Sequence, residues 1–132
     1  MMTIKAGQVV ESIALNDRAF LYGDGCFSTI RVVAGQACLW SHHRQRLQDC
    51  QRRLGLQVEL AEIEQQVQQA AQQIGQGALK IIISRGQGQR GYLPPDQPAQ
   101  VYMQLFPNLQ MNDLSVLPYA APIDSGVLDL QL

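Results

Sequence analysis

Residues 78–84, ALKIIIS, constrain this chain more than any other stretch. The run is short, rich in β-branched side chains and apolar apart from one lysine, which is the pattern of a strand buried inside a sheet. Other strand-like stretches lie on either side of it. Residues 26–33 are β-branched and aromatic, and Ala34-Gly35-Gln36 turns them into a second short strand over 37–40. Residues 101–106 form a further strand, and weak alternation around Ala6-Gly7 predicts a small hairpin within 2–12. Between these segments the period becomes helical. Leu47, Cys50 and Leu54 share a stripe over about 42–54, with Ser41 as the expected N-cap and Gly55 just past the end. Ile63, Val67, Ala70 and Ile74 line the core face of a second helix over 61–74, which Gly75 ends. The predicted fold class is α+β: a mostly antiparallel sheet with two helices packed on one face.

The full chain has 132 residues, enough for one domain with a real core. Its later part looks different. Pro107, Pro118, Pro122 and Gly126 mark 107–126 as a connector, and VLDLQL at 127–132 alternates like the start of a new strand. The expected division is an α+β domain over 1–106, an interdomain connector over 107–126, and the first residues of a truncated second domain over 127–132. On that reading the chain is the N-terminal part of something longer. With 16% charged residues and a formal net charge of -1, it lacks the basic footprint of a nucleic-acid binder. No apolar run approaches the ~20 residues of a membrane span, and MMTIKAGQVVES has no signal-peptide core, so a cytoplasmic location without membrane partners is expected. Cys26, Cys38 and Cys50 form no CxxC pair and are expected to be free thiols rather than a disulfide framework or a zinc site.

Two constellations carry chemistry. Alternation along 26–33 places Phe27, Thr29 and Arg31 on one face, and Ser28, Ile30 and Val32 on the other. At the start of the first long helix, His43-Arg44-Gln45-Arg46-Leu47 combines backbone N–H groups with arginine, a setting that favours an anion, phosphate above all. The plainer alternative there is a solvated basic face, with His42 and His43 as surface or capping residues. The second constellation is SRGQGQRGY at 84–92. Its glycines lack the lysine and hydroxyl of a P-loop. Its GxGxxG is followed by Pro94-Pro95 where a dinucleotide fold would open a helix. Arg85, Arg90 and Tyr92 can hold carboxylates; a flexible hairpin loop is the alternative. The residues alone reach an α+β domain able to bind anions.

Three blocks extend this reading. DRAFLYGDGCFSTIRV, LWSHHRQRLQDCQRRLGL and LKIIISRGQGQRGY resemble, in order and spacing, the N-terminal half of the fold type IV pyridoxal-phosphate enzymes, the class IV aminotransferase group. Within that group GDGCFST and ISRGxGxRGY are most similar to the aminodeoxychorismate lyases. The resemblance implies pyridoxal 5'-phosphate as cofactor and a homodimer when full length. Its substrate would be a small molecule, 4-amino-4-deoxychorismate, cleaved to pyruvate and 4-aminobenzoate for folate synthesis. It implies that Arg46 binds the cofactor phosphate, that Phe27 and Thr29 line the substrate pocket, and that Arg90 and Tyr92 touch a substrate carboxylate. A D-amino-acid or branched-chain aminotransferase and a non-enzymatic anion-binding or assembly module are the alternatives. In the family the Schiff-base lysine lies in the C-terminal half, so no catalytic residue is expected before Leu132. Of the chain's two lysines, Lys5 lies outside the matched blocks and Lys80 is expected to be structural. The chain alone is expected to be inactive and to hold the cofactor weakly or not at all.

Overall fold

The computed structural model describes residues 1–88 and 93–109. The elements are β1 (Met2–Lys5), β2 (Gln8–Val9), α1 (Arg18–Tyr22), β3 (Gly25–Val33), β4 (Gln36–Ala37), α2 (Trp40–Leu54), α3 (Leu60–Ile74), β5 (Gly77–Ser84) and β6 (Gln100–Pro107). The six strands form one antiparallel sheet in the order β2-β1-β6-β5-β3-β4. The α+β architecture predicted from the sequence is the one observed. Residues 110–126 of the expected connector, and 127–132 with them, lie outside the described residues.

The register explains the layering. In β5, Leu79, Ile81 and Ile83 are fully buried, and they pair with Ile30, Ser28 and Cys26 of β3 and with Leu105, Met103 and Val101 of β6. Directly paired residues share a face, and this is the face that α2 and α3 cover. Leu47 of α2 and Ile63, Val67, Ala70, Ala71 and Ile74 of α3 complete the core against it. Trp40 Nε1 donates to Glu64 Oε1 at 2.7 Å and joins the two helices. The opposite face carries Phe27, Thr29 and Arg31 of β3 beside Lys80 and Ile82 of β5, and among the described residues no long helix covers it.

Three local expectations change. Ser41 is not the cap of α2: Leu39 holds that place in the left-handed region at φ 54° and makes no side-chain cap bond. The helix therefore starts one residue before Ser41, at Trp40, and the second strand of the hairpin shrinks to Gln36–Ala37. A third helix, α1, forms where the sequence suggests none. The Asp17 carboxylate accepts from Ala19 N at 2.9 Å to open it, and Gly23 closes it in the left-handed region at φ 66°.

Candidate functional site

β4 pairs only with Val32 and Val33, so among the described residues no strand lies along the outer edge of β3 from Gly25 to Ile30. β3, which bears Phe27 and Thr29, and α2, which bears Arg46, meet beside this edge at the Ser28–His43 contact. Phe27, 59% exposed, and Thr29 stand on the uncovered face, while Ser28 between them turns under α2. Lys80, the direct partner of Thr29, lies 4.4 Å from the centre of the Phe27 ring, close enough for a cation–π contact. A cavity of about 290 Å³ opens on the same face, between Ile82, Tyr102 and Gln104 of the sheet and Ile13 of the preceding segment. A larger one, about 400 Å³, lies between residues 57–66 and 98–101, and neither cavity is lined by Phe27, Thr29 or Arg46.

The start of the strand answers why Gly-Asp-Gly precedes it. Gly23 supplies the left-handed cap of α1. Gly25 lies so close to the Ile83 carbonyl that a Cβ there would collide with it. Asp24 is buried, and its Oδ2 accepts from Arg18 Nε at 2.8 Å and from Arg85 Nε at 2.7 Å. Arg85 continues to the carbonyls of Leu54 and Gly55 at the C-terminus of α2. Burial alone would raise the Asp24 carboxyl. The hydrogen bonds from Arg85 and Arg18, and then their charges, outweigh it and hold the group below its ordinary range. Beside it, Ser84 donates to the buried Asp17 at 2.6 Å and accepts from Gly86 N at 2.9 Å. Two parts of the block DRAFLYGDGCFSTIRV, Asp17-Arg18 and Gly23-Asp24-Gly25, are thus bolted to Ser84-Arg85-Gly86. Arg85, which the sequence offered as a carboxylate holder for a ligand, is 7% exposed and holds a carboxylate of the fold instead.

On α2, Arg46 is exposed and forms no ion pair among the described residues. His42 is exposed. His43 is neither a surface residue nor a cap, because its Nδ1 lies 2.6 Å from the hydroxyl of Ser28, itself 1% exposed. Burial first, then the charge of Arg46 and that of His42, lower the His43 pKa, so the ring beside Arg46 favours its uncharged form. An unneutralised guanidinium and a neutral imidazole three residues apart, in the first two turns of a helix, suit a phosphate group. Lys80 stands on the face opposite α2, away from this pair. Arg90 and Tyr92 lie outside the described residues. The sequence missed the Asp24 clamp and the Ser28–His43 bond. Only the placement of a serine on the face shared with Ile30 and Val32 hinted at the latter.

The model of the family described as Amino-transferase class IV matches residues 25–125. Over 83 residues the chain is 39% identical to an aminodeoxychorismate lyase of Vibrio harveyi, covering 62% of this chain and 31% of that protein. The crystal structure of 4-amino-4-deoxychorismate lyase from Pseudomonas aeruginosa superposes with a TM-score of 0.76 at 32% identity, covering 80% of this chain and 40% of that one. A hypothetical aminotransferase from Mycobacterium tuberculosis, solved in a PLP-bound form, gives a TM-score of 0.65 at 29% identity, covering 81% of this chain and 39% of that one. The chain spans about a third to two fifths of the length of these relatives. With the matched region taking in β3 through β6, and the described residues of the three blocks set in one sheet-and-helix unit, the chain belongs to the class IV aminotransferase family of fold type IV enzymes.

Proposed function

We propose that this chain is the N-terminal part of a pyridoxal-phosphate-dependent 4-amino-4-deoxychorismate lyase, which releases pyruvate and forms 4-aminobenzoate for folate synthesis in the cytoplasm. The observation that carries the reading is the open edge of β3, with Phe27 and Thr29 on one side of it and α2 with Arg46 on the other. The likeness to the Vibrio and Pseudomonas lyases over these elements supports it.

When bound, pyridoxal phosphate would supply an electron sink for the charge left as the substrate ring loses a proton. The work of this chain is placement. Arg46 holds the phosphate through charge-assisted hydrogen bonds. Phe27 offers an apolar ring face and Thr29 a hydroxyl to the substrate ring, with Lys80 held against Phe27. Arg90 and Tyr92 meet a substrate carboxylate. Loss of pyruvate makes the ring aromatic and supplies driving force, so positioning and exclusion of water are the main tasks left to the protein. A lysine able to bond the cofactor and move the proton would come from a C-terminal half, and the complete enzyme would be a homodimer. The second reading is an aminotransferase, favoured by the likeness to the Mycobacterium protein.

The test joins the chain to the remaining part of its gene product and supplies aminodeoxychorismate with no amino acceptor. Stoichiometric pyruvate and 4-aminobenzoate are expected. Turnover only when a 2-oxo acid is added would move the assignment to an aminotransferase, and absence of both would remove it from either class.

A further inference from the structure

Ser28 is an anomaly in its row. Its neighbours across the sheet on the helix-covered face are Ile81 and Met103, and it is as buried as they are. An alanine would fit that layer, and replacing both members of a buried hydrogen bond by apolar groups is often nearly neutral for stability. The hydroxyl is therefore better explained by what it does to His43 than by what it adds to the core.

Among the described residues its side chain is hydrogen-bonded to His43 Nδ1, at 2.6 Å. A buried hydroxyl hydrogen needs an acceptor, and a neutral imidazole offers one at the nitrogen without a proton. With Ser28 donating to Nδ1, the ring proton sits on Nε2. His43 lies three residues before Arg46, so the two share a helix face. Arg46 and His42 are the charged or titratable neighbours acting on the ring, and both oppose its protonation, as burial does.

We propose that His43, held by Ser28 as the Nε2–H form, is a second, uncharged donor of the anion site, set beside Arg46 to hydrogen-bond a phosphate oxygen. The proposal rests on the phosphate reading of Arg46 given above. It assigns a division of labour: Arg46 supplies charge, His43 supplies a directed N–H, and Ser28 is a positioning residue that fixes which nitrogen carries it.

The experiment uses the 132-residue chain, labelled with nitrogen-15, and inorganic phosphate as the probe. Long-range proton–nitrogen correlations should show His43 protonated at Nε2, with Nδ1 as acceptor. The Nδ1–H form in the wild-type chain would overturn the proposal whatever the variants do. Ser28→Ala should raise the His43 titration midpoint and mix the two tautomers. Two substitutions separate the ring nitrogens: the amide of Asn stands near Nδ1 and that of Gln near Nε2. His43→Asn should bind phosphate about 3- to 10-fold more weakly than wild type, the worth of one neutral hydrogen bond, and His43→Gln should recover part of that loss. Wild-type affinity in His43→Asn, with binding lost in Arg46→Ala, would make His43 purely structural. Undiminished binding in Arg46→Ala would instead sink the phosphate reading itself.

Discussion

Arg85 donates from Nε to Oδ2 of Asp24 across 2.7 Å, although the two residues are 61 positions apart in the chain. The contact closes the end of the β3–β5 pair and, through the Leu54 and Gly55 carbonyls, reaches the last turn of α2. Asp24 belongs to the framework of the site, and three of the predictions below separate framework from binding.

Asp24→Asn leaves two buried guanidinium groups facing an uncharged amide. Breaking a buried pair from one side costs about 3 kcal/mol, and urea denaturation should show a loss of this order. Arg85→Gln should cost a similar amount, and the double variant less than the sum.

The same carboxylate gives the fold an acid limb. Its folded pKa lies below the ordinary 3.8, so the native state binds its proton later than the unfolded chain does. The stabilisation from Asp24 is complete well above that ordinary value and is lost as the pH falls through it toward the lower folded value. A pH series of denaturation midpoints should show wild type losing stability over this range, and Asp24→Asn losing correspondingly less.

Gly25→Ala should be worse than Gly23→Ala. At Gly23 the cost is left-handed backbone with open space for a methyl group, about 1–2 kcal/mol. At Gly25 the methyl group meets the Ile83 carbonyl and the strands must separate. Thermal melts of the two variants give the order directly.

Arg46→Ala, made in this chain joined to the proposed C-terminal half, should weaken cofactor binding about 10- to 150-fold, the equivalent of roughly 1.5–3 kcal/mol for a charged hydrogen bond. Arg52→Ala and Arg53→Ala, in the last turn of α2, should bind as wild type does. Equilibrium dialysis with pyridoxal phosphate measures all three; equal affinity in Arg46→Ala would remove this arginine from the site.

The chain by itself should form no stoichiometric adduct with pyridoxal phosphate after borohydride reduction, as read by intact mass. Lys80 lies against Phe27 on the face opposite α2, and Lys5 is 5.6 Å from the Tyr102 ring at the other end of the sheet order. A full-occupancy adduct on Lys80 together with pyruvate release would place the covalent lysine in this chain.

The sequence made the layers legible because each long element repeats its period several times. α3 buries Ile63, Val67, Ala70 and Ile74 as their spacing required, and β3 alternates as expected. α1 escaped because five residues are too few for a helical period to show, and its boundaries rest on a carboxylate cap and one glycine. Leu39 escaped because a left-handed leucine has no sequence signature. Within the candidate site, the shared face of Phe27 and Thr29 follows from strand geometry. The partners of Asp24, Arg85 and His43 do not, because each contact joins segments that only the folded sheet brings together, and charge or polarity alone leaves many pairings open.

α2 is held to the sheet near both ends: at His43 by the hydroxyl of Ser28, and at Leu54 and Gly55 by Arg85. A beam pinned at two points cannot rock without releasing one of them. Amide exchange along 40–54 should then proceed with opening of the β3–β5 pair rather than by separate fraying of the helix. If Arg46 holds a phosphate as proposed, it does so from a helix that stays in place while the ligand comes and goes.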